Sequence, residues 1–140
     1  MNVYIDSNII MDLVAQRTPF YEDALDLFLE IAREKELFGY VSVKSLADIH
    51  YIYRHITHSK EQANKKIIEI IDLLNIADNT KSDLLGAILN NGNDFEDDLI
   101  IQLANRMKLD YIVTRNQKDY KNSSVKAITP KECLKMVKVS

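Results

Sequence analysis

Residues 2–16 read NVYIDSNIIMDLVAQ. The first four, NVYI, make a short apolar segment of strand character, and Asp6, Ser7 and Asn8 stop it. All three residue types cap helix N-termini, because a short polar side chain accepts from backbone N–H groups that the first turn leaves unpaired. Residues 8–16 then set Ile9, Ile10, Leu13 and Val14 on one side at helical spacing. A strand that passes within three residues into an amphipathic helix is the opening unit of an α/β fold.

The same alternation continues along the chain. Pro19 suits a first helical turn, and residues 20–36 carry Phe20, Ala24, Leu27, Phe28 and Ile31 at helical intervals. LFGYVSV (37–43) is a second strand, and Ser42 is placed to cap the helix that follows over 43–56. Residues 60–76 read as a helix with Ile67, Ile71 and Leu74 as its buried stripe, and residues 81–91 as a shorter one ending near Gly92. Another helix occupies NDFEDDLIIQLANRM (93–107). LDYIVTRN (109–116) is a third strand and VKAI (125–128) a fourth. A last helix begins at TPKECLKMV, with Thr129 as cap and Pro130 at its first position. Strands separated by helices predict a parallel sheet with helices on both faces. Ligands of such sheets bind outside the carboxyl ends of the strands. That rule selects Asp6, Ser42 and the segment Thr114–Asn116.

Composition sets the outer bounds. The 140 residues, 46% hydrophobic and 28% charged, are ordinary for one globular domain spanning 1–140. Three glycines and two prolines argue against long flexible linkers. A lone cysteine, Cys133, excludes an internal disulfide, fits a reducing compartment and reads as a small buried hydrophobe. No apolar run approaches the roughly 20 residues that span a bilayer, and MNVYI is too short for a signal peptide. A cytoplasmic protein without a membrane partner is expected. The net charge of −3 is unevenly spread. Residues 1–35 hold seven acids against three bases, whereas residues from Arg106 onward hold nine bases against three acids. The basic C-terminal third permits a local anion-binding surface.

Within 94–98 stand four acids: Asp94, Glu96, Asp97 and Asp98. Acids in a first helical turn complement the helix dipole, and Asn93 with Glu96 resembles a capping pair. That accounts for Glu96, and for Asp98, which shares its face with Gln102 and Asn105 and is expected to point to water. It does not account for Asp97, on the face of Ile101 and Ala104, where a carboxylate is costly unless paired or coordinated. Asp94 is its nearest acidic neighbour. Asp48 sits two turns into the helix begun at Ser42, and its simplest reading is a solvent-facing acid paired with Lys44 or Arg54. If Asp6, Asp48, Asp94 and Asp97 converge, mutual repulsion destabilises them unless a divalent cation binds. An all-oxygen set favours Mg²⁺ or Mn²⁺ over zinc, and such an ion can activate water against a phosphodiester. The histidines, His50, His55 and His58, do not make a compact three-ligand face. A receiver-type phosphorylation domain needs paired acids after its first strand, and YIDSN supplies one.

Four fragments in this order, VYIDSNIIMDL, VSVKSLADIHYIYR, DFEDDLIIQLA and DYIVTRNQKDY, resemble the PIN-domain nucleases, and the tail AITPKECL is similar to the end of that domain. The resemblance implies a three-layer α/β/α sandwich with a central parallel sheet, and hydrolysis of RNA with Mg²⁺ or Mn²⁺. Position by position it implies Asp6, Asp48 and Asp97 as metal-site acids, Asp94 in support and Asn116 in the fourth, variable place. Ser7, Asn8 and Thr114 would orient ligands or water, Arg115 and Lys118 would contact phosphate, and Asp119 would be a supporting residue. Asp48 stands where the family often has Glu, and Asn116 where it often has Asp. Those departures motivate an alternative, a non-catalytic module of the same fold that binds RNA or a protein. Many PIN proteins of this length resemble VapC-type toxins, which implies an antitoxin partner and a homodimer. Its surface is expected on the first two helices, with Phe20, Leu27 and Phe28.

Overall fold

A computed structural model describes residues 1–90, Gly92 and 94–139. Five strands are present among these residues: β1 (Asn2–Ile5), β2 (Phe38–Ser42), β3 (Asn75–Ala77), β4 (Tyr111–Val113) and β5 (Ala127–Ile128). They form one sheet in the order β3-β2-β1-β4-β5, with every pairing parallel. The helices are α1 (Ser7–Val14), α2 (Tyr21–Ala32), α3 (Val43–Thr57), α4 (Lys60–Leu73), α5 (Lys81–Asn90), α6 (Phe95–Arg106) and α7 (Pro130–Val139), with a 3-10 turn at Gln117–Tyr120.

Successive strand residues face opposite sides of a sheet, and the core follows that period. Val3 and Ile5 of β1, with Val113 and Ile128, pack under Ile9 and Ile10 of α1, Leu27 of α2, Ile49 of α3 and Cys133 of α7. The alternate residues, Tyr4, Ile112 and Ala127, pack under Leu103 and Ala104 of α6. The result is the expected α/β/α sandwich. On the α6 side, Arg106 chelates the buried Asp83 through Nε and Nη2 at 3.0 Å each, tying α5 to α6. Burial pushes the Cys133 thiol up to about 12, so it behaves as the small buried hydrophobe expected of it.

Three features differ from the expected ones. The helix expected over 60–76 ends at Leu73, because Leu74 turns to φ −111°, ψ 145° and residues 75–77 pair with β2. Three residues, NIA, carry too little periodicity to announce a strand, and the open edge of β2 decides their conformation instead. The buried stripe of α4 accordingly runs through Ala63 and Ile70, while Ile71 is exposed. The helix expected over 20–36 runs from Tyr21 to Ala32. Finally, Leu27 and Phe28 are 0% and 3% exposed, so they belong to the core and cannot form an outer dimer surface. No helix of the described residues is long and apolar enough to cross a membrane.

Candidate functional site

Strand order reverses between β1 and β4: from β1 the sheet grows one way to β2 and β3, the other way to β4 and β5. A crevice opens at such a switch point, outside the carboxyl ends of the two strands. Asp6 follows β1 directly, and Thr114 follows β4. Asp6 occupies the N-cap position of α1, yet its side chain makes no capping hydrogen bond. Its Oδ2 instead accepts from Thr114 Oγ1 at 2.8 Å and from the Tyr120 hydroxyl at 3.1 Å. The Tyr120 hydroxyl also lies 3.3 Å from Asp97 Oδ1. Acids from the end of β1 and the first turn of α6 therefore meet across one phenol.

Both carboxyls are held above the ordinary carboxylate range. For Asp6 the main cause is burial, opposed by the Thr114 and Tyr120 hydroxyls. For Asp97 burial comes first, followed by repulsion from Asp94, Asp6 and Asp119, and the carboxyl is pushed up to about 6. Burial and the neighbouring Asp6 and Asp97 push the Tyr120 phenol up as well, so it stays a donor.

Asp94 caps α6, its Oδ1 accepting from the backbone N–H groups of Glu96 at 2.9 Å and Asp97 at 3.2 Å. The cap expected from Asn93 lies outside the described residues. Asp98 does not point to water. It is buried, accepting from Asn90 Nδ2 at 3.4 Å and from the Gly92 N–H at 3.1 Å. A Cβ at position 92 would run into that carboxylate, so a larger residue there would push Asp98 aside.

Several of the remaining candidates line two cavities that share Asp97. One, of about 390 Å³, is lined by Asp94, Asp97, Lys118, Asp119 and Lys121 among others. The second, of about 90 Å³, lies between Asp6, Ser7, Ser42, Lys44, Asp48 and Asp97. Asp48 shares this small cavity with Asp6 and Asp97, with no hydrogen bond to the Tyr120 hydroxyl among the described residues. Its Oδ2 is 2.6 Å from Lys44 Nζ, which also reaches Glu96 Oε1 at 3.3 Å. This is the Lys44 pairing that the sequence suggested. Behind the small cavity the buried Tyr4 hydroxyl is satisfied by Ser42 and Ser45 at 3.1 and 3.0 Å. Asn8 Nδ2 donates to Thr114 Oγ1 at 3.3 Å.

Arg115 stands apart from the phosphate contact expected of it. Its guanidinium clasps Asp12 through Nε at 2.6 Å and Nη2 at 3.2 Å, and stacks 3.9 Å over the Phe20 ring. Asp12 is fully buried on α1, so the pair is committed to the fold. Asn116 is exposed, and its backbone N–H, not its side chain, donates to Thr114 Oγ1 at 3.0 Å.

Tyr120 and Asp12 were not foreseen. Asp12 carried a signal: an acid one turn from Ile9 and beside Met11 needs a buried partner. Tyr120 carried none, because a 3-10 turn of four residues has no periodicity to read.

Two carboxylates that share one phenol fit a hard cation that keeps several waters and takes phosphate oxygens, the ordinary habit of Mg²⁺. Among the described residues no group of three or more His, Cys, Asp or Glu side chains is arranged to hold a metal ion. The fit therefore rests on Asp6 and Asp97 and on the carboxylate repulsion that a cation relieves.

A family model for the PIN domain matches residues 2–118. The chain belongs to the PIN-domain family. Its fold is similar to that of solved toxin–antitoxin assemblies. VapBC2 from Rickettsia felis, bound to a DNA fragment from its promoter, aligns with TM-score 0.64 and 21% identity over 92% of this chain and 98% of that one. A toxin–antitoxin complex from Klebsiella pneumoniae aligns with TM-score 0.66 and 17% identity, covering 91% and 97%. VapBC-1 from nontypeable Haemophilus influenzae aligns with TM-score 0.67 and 15% identity, covering 94% and 99%. A search of curated proteins found no match.

Proposed function

We propose that this chain, as a single domain over 1–140, is a metal-dependent endoribonuclease and the toxin of a toxin–antitoxin pair. The observation that carries this reading is the meeting of Asp6 and Asp97 across Tyr120 at the switch point of the sheet. Asp6 and Asp97 would hold Mg²⁺ or Mn²⁺, with Asp94 and Asp48 at the borders of the site. When bound, such an ion supplies Lewis-acid charge that activates water and neutralises phosphate oxygens. The chain's own groups do the rest. Thr114 and Tyr120 orient Asp6, and the half-buried Asp97 faces both cavities. Lys118 and Lys121, on the wall of the larger cavity, attract the RNA backbone, while Ser7, Asn8 and Asn116 flank the path of the attacking water. Attack on phosphorus breaks the P–O3′ bond and leaves a 5′-phosphate and a 3′-hydroxyl.

The partners follow from the same reading. Leu84, Leu85, Ile88 and Leu89 of α5 are between 43% and 84% exposed. A row without charge can meet its own copy across a two-fold axis without electrostatic conflict, and we assign it to a homodimer. An antitoxin segment would enter the acidic crevice. RNA cleavage by the purified chain with Mn²⁺, abolished in Asp6→Asn, is the test; no cleavage of single-stranded or structured RNA would refute it.

A second reading has one observation in its favour. Lys44 already neutralises Asp48, as in a binding module that no longer needs the acid as a metal ligand. Metal binding without turnover would select that reading.

A further inference from the structure

Hydrolysis as proposed asks nothing chemical of Tyr120, yet among the described residues this side chain is the one hydrogen-bond partner shared by Asp6 and Asp97. The ring is 2% exposed and packs in the α6-side core with Tyr4, Leu103 and Ile112. Only the hydroxyl emerges, at 3.1 Å from Asp6 Oδ2 and 3.3 Å from Asp97 Oδ1. A phenol has one proton, so it donates fully to one carboxylate at a time. Its fixed oxygen nevertheless sets where both acids stand.

The geometry on Asp6 sharpens this. The same oxygen, Oδ2, takes Thr114 Oγ1 at 2.8 Å, and two donors on one oxygen fix the plane of the carboxylate. No cationic side chain does that work. Lys44 pairs with Asp48 and Glu96, Arg115 with Asp12, and among the described residues no ion pair reaches Asp6 or Asp97. Packing alone would be served by phenylalanine. A hydroxyl at this point serves the carboxylates.

We infer that Tyr120 is a positioning residue, whose hydroxyl holds Asp6 and Asp97 at the separation and facing that let both grip one divalent cation. The inference rests on the nuclease reading above. Groups that orient metal ligands in this way, when removed, typically weaken metal affinity by about 10–100-fold.

The test is calorimetric titration of Mn²⁺ into the full chain, its Tyr120→Phe variant and its Asp97→Asn variant, with metal-free melting curves confirming that each is folded. Tyr120→Phe keeps the buried ring and removes only the hydroxyl. The expected result is binding by the parent, about 10-fold or more weaker binding by Tyr120→Phe, and none by Asp97→Asn. A Tyr120→Phe variant that binds Mn²⁺ as the parent does, even with an altered melting temperature, overturns the inference and leaves the nuclease reading intact. A parent that binds no Mn²⁺ overturns both.

Discussion

Glu96 and Asp97 are consecutive residues of α6, and they belong to different electrostatic worlds. Glu96, with Asp48 and Lys44, forms a cluster whose side chains are 67%, 48% and 56% exposed. Asp97 turns the other way, into partial burial beside Asp6 and Tyr120, and no ion pair among the described residues reaches it. One helical step separates a solvated ion pair from an unbalanced carboxylate. Charge count alone therefore says little about where a cation is wanted; depth and the direction of the Cβ decide. Water screens the outer cluster, whereas the inner pair keeps its repulsion until something positive arrives.

The sharpest way to break this contrast is to neutralise the inner side. Asp97→Asn, or Asp6→Asn, should remove metal-dependent RNA cleavage altogether, a larger loss than the roughly 100-fold expected of a supporting group; retained cleavage in a gel assay would remove the distinction between the two sides. Next in size is the buried pair behind β4. Arg115→Ala would leave Asp12, whose side chain is 1% exposed, with the longer Arg17 pair at 4.0 Å as its one ion pair among the described residues, and should destabilise the fold by about 3 kcal/mol in urea denaturation. A loss below about 1 kcal/mol would mean that water reaches Asp12.

A pH series sharpens the comparison further. Burial and its acidic neighbours raise Asp97 to about 6 in the folded chain, above its unfolded value. The folded state therefore binds that proton more tightly, and the linkage has a definite sign. Metal-free stability should rise as pH falls from about 7 through about 6, by an amount that disappears in Asp97→Asn. Metal affinity should fall over the same interval, since the proton and the cation compete. Parallel melting curves for parent and variant across that interval would contradict the shift. The smallest effect belongs to the outer side: Lys44→Met should change stability by no more than about 1 kcal/mol, because the pair it breaks is largely solvated.

The alternation of strands and helices was open to sequence reading because each long element repeats its apolar residues with a clear period. The same periodicity placed Asp97 on the face of Ile101 and Ala104, and both of these are buried. It failed one residue later. Asp98 shares a face with Gln102 and Asn105, but Asn90 and Gly92 donate to its carboxylate, and donors from outside a helix leave no trace in its spacing. Arg115 failed for a related reason: TRN suggested a phosphate contact, and the competing carboxylate came from a helix about a hundred residues earlier in the chain. Long-range pairing of this kind is set by topology. The strand-end position of Asp6, by contrast, needed only the first eight residues and the rule for parallel sheets.

The two outer strands of the sheet, β3 and β5, contain three and two residues. A sheet edge is a template on which a foreign strand can grow, and its hazard increases with its length. Here the paired region tapers from the centre toward both sides, leaving only a few backbone groups to solicit another chain. The apolar row on α5 can then remain exposed for an interface, because sideways recruitment of strands, the commoner route from a sticky surface to an aggregate, has little to start from.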